Sequence, residues 1–192
     1  MKRLVAVGAG VIVSAVIAIP TFADARGHTP KQHAKSGAWV ICREELVIHS
    51  SPPLTPNPHP AKFTSSDVLN DCSSSDPTID RGVAIVKNRG PAASCGAMGG
   101  GQFHGIGRVR WNNGKVTVIR DFVSFAGGIA SGHGKIIGGK EFVGEPFKAL
   151  DKAVIDETVL GLCGSPVGLG TFVADGEIQI GHKRIDGVSL AP

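Results

Sequence analysis

Tyrosine is absent from this sequence, and the remaining aromatics are eight Phe and two Trp in 192 residues. Sugar binding through aromatic platforms therefore has little support, because Trp39 and Trp111 are expected to be spent in the core. Zinc-type spacing is missing as well: no C-x-x-C pair occurs, and no His stands at ligand distance along the chain from a Cys. There is no H-E-x-x-H and no EF-hand loop, and the nearest approach to a G-x-S-x-G elbow, Ala93-Ser94-Cys95-Gly96, lacks the leading glycine. Neither a metal nor a cofactor is expected. Charge of one sign is in small excess, +4 over the whole chain. That supports no nucleic-acid partner, since such binders concentrate many basic residues on one face.

What is present begins with Met1-Lys2-Arg3, an apolar run from Leu4 to Ile19, and the small-residue stretch Ala23-Asp24-Ala25. This is the order of a secretory signal peptide, expected to be cleaved after Ala25. The run is shorter than the ~20 residues a spanning helix needs, so the cleaved protein is expected not to span a membrane. Loss of Lys2, Arg3 and Asp24 lowers the excess charge from +4 to +3. The expected organisation is a signal peptide over 1–25, a basic arm over 26–36 and one β domain over 37–192.

Cys42, Cys72, Cys95 and Cys163 all follow the leader, and an even count in an exported chain predicts two disulfides. Three connectivities are possible and sequence alone does not choose. The pairing favoured is Cys42 with Cys72 and Cys95 with Cys163, which closes the Pro-rich segment and ties a strand entry to a late strand.

Strand signals recur at Ala38–Cys42, Leu46–Ile48, Gly82–Lys87, Gly132–Ile137, Phe142–Val143, Leu169–Val173 and Glu177–Ile180. Between Ser50 and Ala61 five prolines predict an exposed loop rather than a central strand. Asn113-Gly114 predicts a two-residue hairpin turn inside Gly105–Phe125. That turn pairs Trp111 with Val116 and Val109 with Val118, leaving Arg108, Arg110 and Thr117 on a wet face. Phe147–Leu160 approaches helical spacing, yet its β-branched pairs favour strand plus loop. Gly105-Ile106-Gly107, Gly132-His133-Gly134 and Gly168-Leu169-Gly170 form a loose repeat suited to a curved or closing sheet. The predicted fold is all-β: an antiparallel barrel or sandwich with a Pro-rich loop and two disulfides.

Candidate chemistry is sparse. His104 and His133 would have to converge to serve as base and orienter, and two exposed histidines are the plainer expectation. Asp151, Asp156, Glu157, Asp175 and Glu177 offer carboxylates, but all lie near turns or an uncertain segment and are expected to be solvated rather than a glycosidase pair.

The order of landmarks is Trp39 to Cys42, then Ser51-Pro52-Pro53-Leu54-Thr55-Pro56, Cys72, Ser94-Cys95, Gly105-Ile106-Gly107-Arg108-Val109-Arg110-Trp111-Asn112-Asn113-Gly114 and a late Cys163. In this order the chain resembles a group of small secreted actinobacterial β proteins. The resemblance implies an exported two-disulfide β protein and carries over no functional residue. Three functions follow as expectations. The first is a secreted non-enzymatic β module holding a cell-envelope polymer, with Arg108, Arg110, Thr117, His104 and His133 as candidate surface. The second is a protease-inhibitor or extracellular protein-partner module using the Pro-rich loop. The third is a small hydrolase using His104 or His133 with a carboxylate.

Overall fold

The structure is a computed structural model that describes residues 37–95 and 101–182. The predicted leader and basic arm lie outside the described residues. Eight strands run in chain order: β1 Val40–Leu54, β2 His59–Ser74, β3 Gly82–Ala93, β4 Gly101–Trp111, β5 Val116–Ala126, β6 Ile129–Gly139, β7 Pro146–Ala153 and β8 Leu169–Ile180. Every neighbouring pair is antiparallel, and β1 pairs with β8 to close a barrel. Closure removes both sheet edges, which otherwise expose a row of unpaired backbone groups.

Side chains alternate inward and outward along each strand, and the inward ones stack in three levels. At one end Trp111, Ile79, Phe142 and Ile180 join a buried cluster that seals the barrel. At the other, Phe63, Phe103 and Phe172 pack with Leu54, Leu169, Cys95 and Cys163. The Phe63–Phe103 and Phe103–Phe125 rings meet edge-on with centroids 4.9 and 5.6 Å apart. Over this second end lies the sole helix among the described residues, α1 Glu157–Gly164. The Asp156 side chain caps it, accepting from Val159 N–H at 2.8 Å. Both favoured disulfides form. Cys42–Cys72 joins β1 to β2 near the sealed end, and Cys95–Cys163 joins the end of β3 to α1.

Several expectations are corrected. The Pro-rich stretch is not one loop, because β1 continues to Leu54 and β2 starts at His59. The prolines are accommodated where β1 leaves its register with β8 and where β2 bulges against β3 between His59 and Ala61. The Cys42–Cys72 bridge sits at the far end of both strands from this turn. Phe142–Val143 is a turn, and Phe142 takes a positive φ of 58° while packing on Trp111. The 147–160 stretch is strand through Ala153, but Glu157–Leu160 is helical. Asp175-Gly176 does not turn, and β8 runs straight through it.

The β4–β5 hairpin differs in register by one residue. Trp111 N–H donates to Lys115 O, so the loop has three residues, Asn112 to Gly114, with Gly114 at φ +78°. Side-chain bonds hold this longer loop: Asn112 Nδ2 and Asn113 Nδ2 both reach Thr78 in the β2–β3 connection. A one-residue slip exchanges the faces of a strand. Val109 therefore pairs with Thr117, and Thr117 points into the core at 0% exposure.

Candidate functional site

Between the two apolar ends the barrel carries a belt of carboxyl groups. Glu44 on β1, Asp67 on β2, Asp121 on β5 and Asp151 on β7 are all buried, with Asp67 only 2% exposed. Each occupies an inward position in an alternating apolar pattern. Glu44 follows Val40 and Cys42 and precedes Leu46 and Ile48, and Asp121 lies between Ile119 and Val123. Asn88 on β3 completes the belt, donating from Nδ2 to Asp121 Oδ2 at 2.9 Å.

Glycines make the room. Gly176 stands between Glu44 and Asp151 in register, and Gly105 stands between Asn88 and Asp121. A β-carbon on Gly176 would overlap Leu150 O and Asp151 Oδ1, and one on Gly105 would overlap Asn88 Oδ1 and Lys87 O. Of the repeated glycines, Gly105 serves the belt and Gly132 lines the cavity beside it, whereas Gly168 immediately precedes β8. The belt borders a cavity of about 70 Å³, also lined by Leu46, Ile48, Val123, Phe125 and Phe172. On the order of 10–15 Å³ so measured holds one water, so the space takes several. A smaller cavity of about 20 Å³, almost wholly apolar, lies among the phenylalanines toward α1.

Among the described residues no lysine, arginine or histidine lines this cavity, and burial is the main influence on the protonation of the belt. Burial pushes Glu44 well above the ordinary carboxyl value, with Asp151 and Asp67 adding repulsion. Asp151 is pushed up to about 7, again mainly by burial and then by Asp67. Asp67 is pushed up to about 6, and Asp121 is also raised. Four acceptors remain without a donor among the protein's own groups: Asp67 Oδ1, Asn88 Oδ1, Asp121 Oδ1 and Asp151 Oδ1. Buried acceptors left unmet cost about 1–3 kcal/mol each. Among the described residues no three His, Cys, Asp or Glu side chains are placed to share a metal ion. The arrangement is suited to a ligand that brings its own N–H or O–H donors.

The predicted residues fall elsewhere. Arg108 and Arg110 are exposed on the outer wall as expected, whereas Thr117 is not part of that face. It accepts from Trp111 Nε1 at 2.8 Å inside the core. His104 and His133 do not converge on a shared pocket. Both face outward in one row, with Phe122 between them in register and stacked on His133 at 5.8 Å. Asp156, Glu157, Asp175 and Glu177 are exposed, but Asp151 is buried. The barrel brings Asp151 to Glu44, Asp67 and Asp121, which sequence reasoning passed over. Their signal was legible in kind, as an acid falling in phase with inward apolar residues on a strand. No family model matches this chain, and neither does any curated protein or solved structure.

Proposed function

We propose that this protein is an exported β-barrel that binds a compact amine in its lumen, ammonium end against the carboxyl belt and apolar body toward the phenylalanines. One observation carries the reading: four buried acceptors without a protein donor border a cavity whose other wall is apolar. Eight strands enclose an interior that side chains just fill or that holds one small ligand, and here glycines leave it partly open. An ammonium group offers three donors and a charge that favours ionised carboxylates, so it meets both deficits at once. Export rests on the leader sequence and on two disulfides, which persist in oxidising compartments.

Isoamylamine and isoamyl alcohol, matched in shape, separate this reading from simple apolar filling. Titration followed by amide NMR is expected to shift Gly132 and Gly176 with the amine and to leave them nearly unmoved with the alcohol. Affinity for the amine is expected to rise at least tenfold from pH 5 to pH 8, as Asp67 and Asp151 lose their protons. Equal binding by the alcohol, or undiminished amine binding by the Asp121→Asn/Asp151→Asn variant, would overturn it.

A further inference from the structure

The outer wall of the same barrel carries the opposite charge. From β3 to β7 both strand carboxylates, Asp121 and Asp151, point inward, while the outward positions hold lysines, arginines and histidines and no acid. Register places these cations in two adjacent rows that cross the strands. One runs Lys62, Arg89, His104, Phe122, His133 and Lys148 from β2 to β7. The next contains Lys87, Ile106, Arg120 and Lys135. Like charges directly opposite on neighbouring strands are destabilising, yet Lys62 faces Arg89 and Arg120 faces Lys135. The ion pairs among the described residues involve Arg43, Arg81 and Lys115 instead, so no carboxylate neutralises either row. Arg89 Nε donates to His104 Nε2 at 3.4 Å. Between the rows lies a shallow groove lined by Lys62, Arg89, Arg120, Ile106 and Phe122.

We infer that this band is a docking track for a linear polyanion, a polymer bearing repeated phosphate or carboxylate groups. The shape of the band selects the polymer over a membrane. At ~4.8 Å between strands, six strands make a track roughly 24 Å long, curved over more than half of the closed wall. A flat anionic bilayer would meet only the few strands nearest to it, whereas a flexible chain follows the curve and meets a cation at most steps. Exposed Ile106 and Phe122 give the polymer backbone apolar contact between charges. Arg108, beside Ile85 in the following row, extends the track on its flank. This surface is separate from the lumen and does not depend on what the lumen binds.

The test measures binding of the purified protein to long-chain polyphosphate, to polygalacturonate, to orthophosphate and to vesicles with one third anionic phospholipid, at 50 and 300 mM salt. Either polymer is expected to bind more tightly than vesicles or orthophosphate, and to weaken at least tenfold at the higher salt. Arg89→Gln/Arg120→Gln is expected to weaken polymer binding at least tenfold, while Arg43→Gln/Arg81→Gln, the same loss of charge outside the track, changes it less than twofold. Both variants replace exposed side chains, and unchanged near-ultraviolet circular dichroism verifies their fold. Equal losses in the two variants, tighter binding to vesicles, or no polymer binding at 50 mM salt would overturn the assignment.

Discussion

Thr117 shows how much one side chain contributes when it is the sole polar partner inside a core. Its hydroxyl accepts from the buried Trp111 indole at 2.8 Å. Thr117→Val keeps the shape but leaves the indole N–H with no acceptor, so a loss of about 1–3 kcal/mol is expected in urea unfolding. Gly105 is the second residue whose identity is dictated by its surroundings. Because a β-carbon there meets Lys87 backbone as well as the flexible Asn88 amide, relief requires moving a strand. Gly105→Ala is expected to cost at least the ~1–3 kcal/mol typical of overpacking. Gly161, with nothing near its missing β-carbon, sits in α1, where alanine is the better helix former by about 1 kcal/mol. Gly161→Ala is therefore expected to leave stability unchanged or raise it, and thermal melts of the two alanine variants check the contrast.

The element that covers the phenylalanine end of the barrel is α1 with its flanking segments. It is held chiefly by Cys95–Cys163, which spans 68 residues of sequence, and by Val154 N–H donating to Val173 O at 2.9 Å. Only Cys163 of the helix is buried, while Leu160 and Leu162 face solvent. Little apolar contact would hold the helix without the bridge. Cys95→Ala/Cys163→Ala is expected to lower stability by roughly 4 kcal/mol on the chain-entropy account, and to speed amine entry measured by stopped flow. A slower or unchanged rate would mean that the ligand enters elsewhere. Cys42–Cys72 lies at the sealed end, so its removal is expected to cost stability without changing the entry rate.

At the scale of the whole barrel, charge is segregated by the wall from β3 to β7, with carboxyls inside and cations outside. The inner belt makes stability fall as pH rises. Asp67 and Asp151, raised to about 6 and 7 from a starting value near 3.8, hold protons in the folded state that the unfolded chain has released. The contribution is fully present below about pH 4 and is lost as pH rises through 6 and 7. At about 1.4 kcal/mol per unit it amounts to several kcal/mol. The half-buried Asp76, lowered to about 2 by Thr78 and Lys115, acts in the opposite sense: its contribution is present above about pH 4 and is lost as pH falls through 2. Melting temperature is therefore expected to be higher at pH 5 than at pH 8, and Glu44→Gln/Asp151→Asn to flatten that dependence. On the outside, removing one member of a facing like-charge pair, as in Lys62→Gln, is expected to raise stability by about 0.2–1 kcal/mol while weakening polyanion binding. A purely structural lysine would show neither change.

The sequence by itself determined the class of fold, because turn residues and period-2 alternation are local properties of the backbone. It also made the disulfide pairing accessible, since four cysteines allow three connectivities and nearest neighbours close naturally. The exposed arginines 108 and 110 were legible for the same reason, as charges on an alternating strand. What the alternation left open was phase. Reading Asn113-Gly114 as a two-residue turn moved Thr117 to the wrong face, and the three-residue loop is held in part by bonds from Asn112 and Asn113 to the distant Thr78. The long strands β1, β2 and β8 were also underread, since their prolines, serines and Asp175-Gly176 look like turns until neighbouring strands supply partners. The belt needed closure most of all. Glu44, Asp67, Asp121 and Asp151 lie on four strands spread over more than a hundred residues, and no local rule makes an acid in one strand face another. Barrel closure alone brings them to one level, where burial and mutual repulsion give them properties that none has in its own strand.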